Sequence, residues 1–295
     1  MKTMVFASTP VRRFAQYVFL CGLLLSPSAR ALELLVPAYA NPCCNDGPAM
    51  WSSLVNSAQG HGGNIQIILN PANGPGAVPI DPNYVNALGQ GALIDFRSAG
   101  GITYGYVPTG FAQRPISEVE ADIDTYYSAA YWRGVGVQIQ GIFIDEMSND
   151  LAKVPYYQAL RDHVHSKSSL ARVIGNPGTG FVNNPSQQAL FTANDYLLSV
   201  DTLMNFEGAG SDYRAGLPSP PWIGSFPSKR FAHVIYAETL PAAMMQDLML
   251  AVQRNAGFVF ITDDVLQPNP YDQIPSYWSQ QVALARALIW VDGFE

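Results

Sequence analysis

The segment "GIFIDEMSND", residues 141–150, sets Asp145 and Glu146 side by side directly after the apolar run Ile142, Phe143 and Ile144. Charged residues make up only 13% of the chain, so two adjacent acids at the end of a core-like strand ask for a chemical reason. A third acid, Glu207, follows a second such run, "TLMNF". Carboxylates gathered in one cleft repel and desolvate each other, which leaves one protonated and another ionised near neutral pH. Glycoside hydrolysis uses that division: an acid protonates the leaving oxygen, and a carboxylate attacks the anomeric carbon or activates water there. Taken singly, each acid has a structural alternative as a helix cap or the partner of a nearby base. Glu238 and the pair Asp263-Asp264 are further acids of this kind, with Asp264 placed to cap a loop.

Chemistry of this type needs a scaffold that brings distant strand ends together. Eight short apolar or β-branched runs recur: "LELLVPAYA" (32–40), "NIQIILNP" (64–71), "GITYGYV" (101–107), "GIFIDE" (141–146), "RVIGNPG" (172–178), "TLMNFEG" (202–208), "FAHVIYAE" (231–238) and "GFVFITDD" (257–264). Between them the spacing predicts helices. Ser117 with Glu120 forms the pattern of a capping box, followed by Val119, Ile123, Tyr126, Tyr127 and Ala130 on one face. Pro241 opens another, with Met245, Leu248, Met249 and Val252 as its expected core stripe, and residues 155–166, 185–198 and 275–290 read as helices too. Near-continuous apolar strands alternating with helices mean a parallel sheet covered on both faces. Eight repeats in this length predict an α/β chain folded as a single (β/α)8 TIM-type barrel. An open doubly wound sheet would carry a Gly-rich phosphate loop after its first strand, where this chain has "ANPCCNDGP".

In such a barrel the C-terminal strand ends converge on one mouth. Those ends are Tyr39, Asn70, Tyr106, Asp145 with Glu146, Asn176, Glu207, Tyr236 with Glu238, and Asp263 with Asp264. Side chains alternate along a strand, so one of Asp145 and Glu146 is expected in the mouth and the other toward a neighbouring strand or loop. The Pro/Gly-rich stretches 70–82 and 208–222 follow strands and read as long loops on the same face.

The chain as a whole narrows the choices. Lys2, Arg12 and Arg13 precede the apolar core "YVFLCGLLL" and the small-x-small site "ARA" at 29–31, so residues 1–31 read as a secretory signal and 32–295 as the barrel. The expected mature protein is exported, without a membrane anchor, and monomeric. A net charge of −7 argues against nucleic acid and anionic membrane surfaces as partners. Beyond the leader only Cys43 and Cys44 remain, adjacent and open to a vicinal disulfide, free thiols or an intermolecular bond. Four histidines without ligand spacing give no metal signature, and no metal or cofactor is expected. There is no G-x-S-x-G elbow for a serine hydrolase and no P-loop for phosphoryl transfer.

The motifs "VPAYANP" (36–42), "ILNPANGPG" (68–76), "GYVPTGFAQRP" (105–115), "ADIDTYY" (121–127), "GIFIDEMSND", "NPGT" (176–179) and "NFE" (205–207) resemble, in this order, the spherulin-4-like or spherulation-specific family 4. That family includes glycoside hydrolase family 135 and is related to the hydrolase domain of the bacterial Pel polysaccharide system. The resemblance implies a (β/α)8 fold and endo-hydrolysis of α-1,4-linked N-acetylgalactosamine polymers such as galactosaminogalactan. It also implies that Asp145, Glu146 and Glu207 are the essential acids. Tyr39, Asn70, Tyr106, Arg114, Asn176 and Tyr236 are expected to contact sugar hydroxyl or acetamido groups. Asn70 and Asn176 precede prolines and have turn formation as the alternative, and Arg114 has Glu118 or Glu120. Two other function classes stay open: a non-catalytic carbohydrate-binding or coat protein, and a metal-dependent polysaccharide deacetylase.

Overall fold

The computed structural model describes residues 29–60, 64–77, 80–180, 196–216 and 220–291. Eight parallel strands close into a barrel in sequence order. They are β2 (Glu33–Ala38), β3 (Ile65–Leu69), β4 (Ile102–Pro108), β5 (Gly141–Asp145), β6 (Arg172–Gly175), β7 (Thr202–Ala209), β8 (Phe231–Tyr236) and β9 (Phe258–Ile261). Every residue of β2, β3 and β9 is buried, as strands covered on both faces must be. Closure comes from β2 beside β9, with Leu34 opposite Val259. A separate antiparallel pair, β1 (Ala29–Ala31) with β10 (Ile289–Val291), lies outside the barrel. The rest of the expected leader falls outside the described residues, and the barrel is complete from Glu33 onward.

The helices are α1 (Gly47–Ala58), α2 (Ala92–Ser98), α3 (Ile116–Tyr127), α4 (Val154–Lys167), α5 (Gly210–Ala215), α6 (Pro241–Gln253) and α7 (Trp278–Ala287). Among the described residues none is long and apolar enough to cross a membrane. Of the helix expected over 185–198, only the 3-10 turn Tyr196–Leu198 lies within the described residues. The helix expected over 275–290 is shorter at both ends, and the chain turns into β10.

Two local expectations are corrected. Ser117 does not cap α3: the cap position is Pro115, whose ring presets the backbone at φ −52°, and Ser117 already sits within the first turn. Val119, Ile123 and Tyr126 are its buried face, while Ala130 falls beyond its end. In α6 the buried stripe is Met244, Asp247, Leu248 and Ala251, one position out of phase with the expected one, and Met245 and Met249 are about half exposed. A carboxylate in the stripe hides its period.

Tertiary contacts then lock the strands below the mouth. A side chain at Gly105 would meet the Tyr126 ring at 2.7 Å, so glycine is what admits that ring against β4. The Tyr126 hydroxyl donates to the carbonyls of Leu69 (3.2 Å) and Tyr106 (3.1 Å), tying α3 to two neighbouring strands. Behind β8, Asp247 is fully buried and receives Arg214 at 2.7 Å; Arg214 also binds the buried Glu238. Burial raises the Asp247 carboxyl to about 6, with Arg214 opposing and Glu238 reinforcing the shift. One guanidinium thus balances two buried acids. Arg214→Met leaves both without a cation and is expected to cost about 3–5 kcal/mol, the range for breaking a buried ion pair. Urea unfolding at neutral pH measures it; a loss under about 1 kcal/mol would show that solvent reaches the pair.

Candidate active site

The acids enter from β5 and β7. Asp145 is the last residue of β5 and points into the barrel mouth, where its Oδ2 accepts from the Tyr106 hydroxyl at 2.8 Å. Its Oδ1 accepts from Asn176 Nδ2 at 2.9 Å, and the same nitrogen reaches Glu207 Oε2 at 2.7 Å. The amide orientation follows from its other end, because Asn176 Oδ1 accepts from the Gly178 N–H at 2.9 Å. Glu207 Oε1 accepts from the Tyr271 hydroxyl. Tyr39 completes the floor, edge-on to Tyr106 at 5.7 Å and to Tyr271 at 5.5 Å.

This packing sets the electrostatics. Burial raises the Glu207 carboxyl above its ordinary range and the Asp145 charge raises it further, against the hydrogen bonds from Asn176 and Tyr271. Burial, then the neighbouring acids, hold Tyr106 and Tyr271 well above the phenol range, so both remain donors. The site therefore sets the raised Glu207 carboxyl beside Asp145, each receiving two donors.

Glu146 faces elsewhere. Its backbone takes the left-handed conformation, φ 50°, which breaks the strand alternation at the end of β5. Its Oε2 accepts from the Gly110 N–H at 3.0 Å, and its carbonyl accepts from Phe111 N (2.8 Å) and Thr109 Oγ1 (2.8 Å). Gly110 itself sits at φ 55°, open to glycine without strain. The Glu146 side chain lines an open cavity of about 720 Å³, with Gly74, Pro108, Arg114 and Asp122 among its walls. Arg114 pairs with Asp122 at 2.9 Å, not with Glu118 or Glu120, and also donates to the Pro108 carbonyl at 2.6 Å.

Asp145, Glu207, Tyr106, Asn176 and Tyr39 therefore meet in the mouth, with Glu146 and Arg114 in the adjoining cavity. Tyr236 is half-buried on the rim, near enough to Glu207 for that charge to help raise its phenol after burial. Asn70 is turned to its own loop, where Oδ1 accepts from the Gly74 N–H at 3.1 Å. Glu238 belongs to the buried Arg214 cluster, Asp263 receives Ser276 N at 3.2 Å, and Asp264 receives Val265 N at 2.8 Å. Cys43 and Cys44 are joined as a vicinal disulfide in the exposed loop after β2. Among the described residues no group of three or more His, Cys, Asp or Glu is placed to hold a metal ion.

Sequence reasoning missed Tyr271, Thr109 and Gly110. Tyr271 comes from the irregular segment between β9 and α7, which carries no periodic signal. Thr109 and Gly110 stood inside the "GYVPTGFAQRP" motif, where a glycine directly after a strand end marked a backbone position with a task.

The fold and site define a class, a (β/α)8 barrel with half-buried carboxylates at its C-terminal mouth. The sequence model of Spherulation-specific family 4 matches residues 33–285, and the chain belongs to that family. It is 31% identical over 270 residues to spherulin-4 of Physarum polycephalum, spanning 88% of this chain and 72% of that protein. Among solved structures it is similar to Aspergillus clavatus Sph3 in complex with GalNAc, with TM-score 0.64, 24% identity, and 88% and 98% of the two chains covered. A GH2 β-galacturonidase from Eisenbergiella tayi bound to galacturonate shares the fold at TM-score 0.51 and 14% identity, covering 88% of this chain and 52% of that one.

A raised carboxyl has a consequence for stability. Because the folded state favours the protonated form of Glu207, its contribution is full below the ordinary value of about 4.3 and is lost as pH rises through the raised one. Glu207→Gln keeps the shape and removes the charge, so its melting temperature at pH 7 is expected to equal or exceed that of the unaltered protein. Thermal melts from acid to neutral pH test this; a lower melting temperature for the variant at pH 7 would mean that the ionised form is the favoured one.

Proposed function

We propose that the protein is an exported glycoside hydrolase that cuts within an amino-sugar polysaccharide, with α-1,4-linked N-acetylgalactosamine as the target linkage. The observation that carries the reading is the pair Asp145 and Glu207, held by one amide donor at the barrel mouth, with the Glu207 carboxyl raised. Family membership supports the substrate class, as does the sugar in the complex of the similar Sph3 structure. The leader over residues 1–31 and a monomeric state belong to the same reading.

In the first step Glu207 gives its proton to the glycosidic oxygen while an oxygen of Asp145 bonds to the anomeric carbon and the leaving sugar departs. In the second, Glu207 takes a proton from water, whose oxygen displaces Asp145 from that carbon and restores both groups. The two bridged oxygens are no farther apart than the two Asn176 contacts laid end to end. Oxygens this close favour the retaining arrangement, whose carboxyl groups stand roughly 5–5.5 Å apart, over the inverting one at roughly 6.5–9.5 Å. Tyr106 and Asn176 orient Asp145, while Tyr39, Tyr236 and the Glu146–Arg114 cavity supply contacts for flanking sugars. Asn70 acts through the loop it folds.

Incubating the protein with galactosaminogalactan and with Pel, and following reducing ends and oligosaccharide masses, tests the reading. Release of N-acetylated hexosamine oligomers is expected, reduced at least about 10³-fold by Asp145→Asn, an effect on the scale of losing a catalytic group. The rate should fall on the alkaline side as Glu207 loses its proton. No release from either polymer by the folded protein would overturn the reading in favour of a binding or coat role.

A further inference from the structure

The opposite end of the barrel carries a charge pattern that sugar cleavage does not use. A cavity of about 540 Å³ opens there, lined by Arg161, Arg172, Lys229 and Arg230 together with His165. The chain has only sixteen Lys and Arg residues and a net charge of −7, so four cations around one cavity run against its overall composition. Among the described residues lining it, Asp201 is the one carboxylate, and its oxygens are already engaged. Oδ1 receives Arg161 through Nε (3.2 Å) and Nη2 (3.1 Å), while Oδ2 meets His165 Nε2 (3.0 Å) and Val173 N (2.8 Å). Lys229 is paired with Glu33 at 2.6 Å.

Arg172 and Arg230 are left with neutral acceptors. Arg172 donates to Thr202 Oγ1 (2.8 Å) and the Lys229 carbonyl (3.1 Å). Arg230 donates to the carbonyls of Leu197 and Val200, and its Nε is buried without a hydrogen-bond partner among the described residues. Burial pushes the Arg230 guanidinium below its ordinary range, and the charges of Arg161 and Arg172 act the same way against the pull of Asp201. An arginine does not shed its proton at neutral pH, so Arg230 keeps its charge beside Arg161 and Arg172.

We propose that this cavity binds an oxyanion of the phosphate or sulfate class, held between Arg172 and Arg230. Planar guanidinium groups match the oxygens of such an anion, and charge-assisted contacts in a partly buried cavity are stronger than those on open surface. Arg172 opens β6, and Asp201 and Arg230 immediately precede β7 and β8, so the site lies at the N-terminal end of the strands. It is independent of the carboxylates at the mouth. Either a free ion or a phosphorylated or sulfated polymer could supply the group, and a polymer would hold the barrel with its mouth facing away.

The test is thermal melting against inorganic phosphate or sulfate at constant ionic strength, with chloride as the balancing salt. A saturable rise in melting temperature is expected for the unaltered protein and equally for Asp145→Asn. Leu170 lines the cavity and is 94% exposed, so Leu170→Glu adds a negative charge at the rim without disturbing packing. That variant should weaken the apparent affinity at least tenfold while melting normally in chloride. Polyphosphate binding more tightly than the same concentration of phosphate groups as free ion would point to a polymer, and equal binding to the ion. No difference between phosphate and chloride, or unchanged phosphate affinity in Leu170→Glu, would overturn the proposal.

Discussion

Asp145 and Glu207 share one hydrogen-bond donor, Asn176 Nδ2, and the chemistry of the mouth depends on that shared contact. Burial raises the Glu207 carboxyl, and the neighbouring Asp145 charge raises it further. A single neutral amide brings them close without cancelling either charge, as an arginine in its place would. Asp145 has the phenol of Tyr106 as its second donor, while Glu207, receiving Tyr271, still has its carboxyl raised. Asn176 can serve only if its own oxygen is fixed, and the turn through Gly178 fixes it. Of the two alternatives that the sequence offered for this asparagine, the turn before proline is realised through the Gly178 contact, and the same side chain also bridges the two acids.

The segment Thr109–Phe111 provides the second constraint. Thr109 donates from its backbone and its hydroxyl to the Asp145 carbonyl, and Phe111 N–H takes the Glu146 carbonyl. These contacts hold Glu146 in the left-handed region, and Phe111 and Ala112 follow at φ 57° and 61°. Left-handed backbone at residues other than glycine has an energetic cost and persists where the surroundings impose it. Here it turns the second acid of the pair out of the mouth and into the adjoining cavity. One strand end thereby supplies both the central carboxylate and a wall of the neighbouring groove.

Much of this was legible in the sequence. All eight strands were read from apolar runs, since β-branched residues buried on both faces leave a continuous signal, and barrel closure makes strand ends meet whatever their separation along the chain. Asp145, Glu207, Tyr106, Asn176 and Tyr39 converge for that reason. Features that depend on tertiary partners were not legible. The stripe of α6 was misphased because Asp247 is buried only by virtue of Arg214, 33 positions away. The cap of α3 was misplaced because a proline, and not a side-chain oxygen, starts it. Tyr271 reaches Glu207 from 64 positions further on, through a loop without periodicity, and Asn70 satisfies its own turn instead of facing the mouth.

The central claim is that Asp145 and Glu207 act as nucleophile and acid/base across one Asn176 bridge. Proton NMR during hydrolysis of an α-linked N-acetylgalactosamine oligomer reads the anomer that forms first, before mutarotation mixes the two. The account predicts an α reducing end as the first product, as displacement by Asp145 and then by water requires. A β reducing end as the first product would contradict it, since water would then have attacked directly and the bridged pair could not be the nucleophile and its partner.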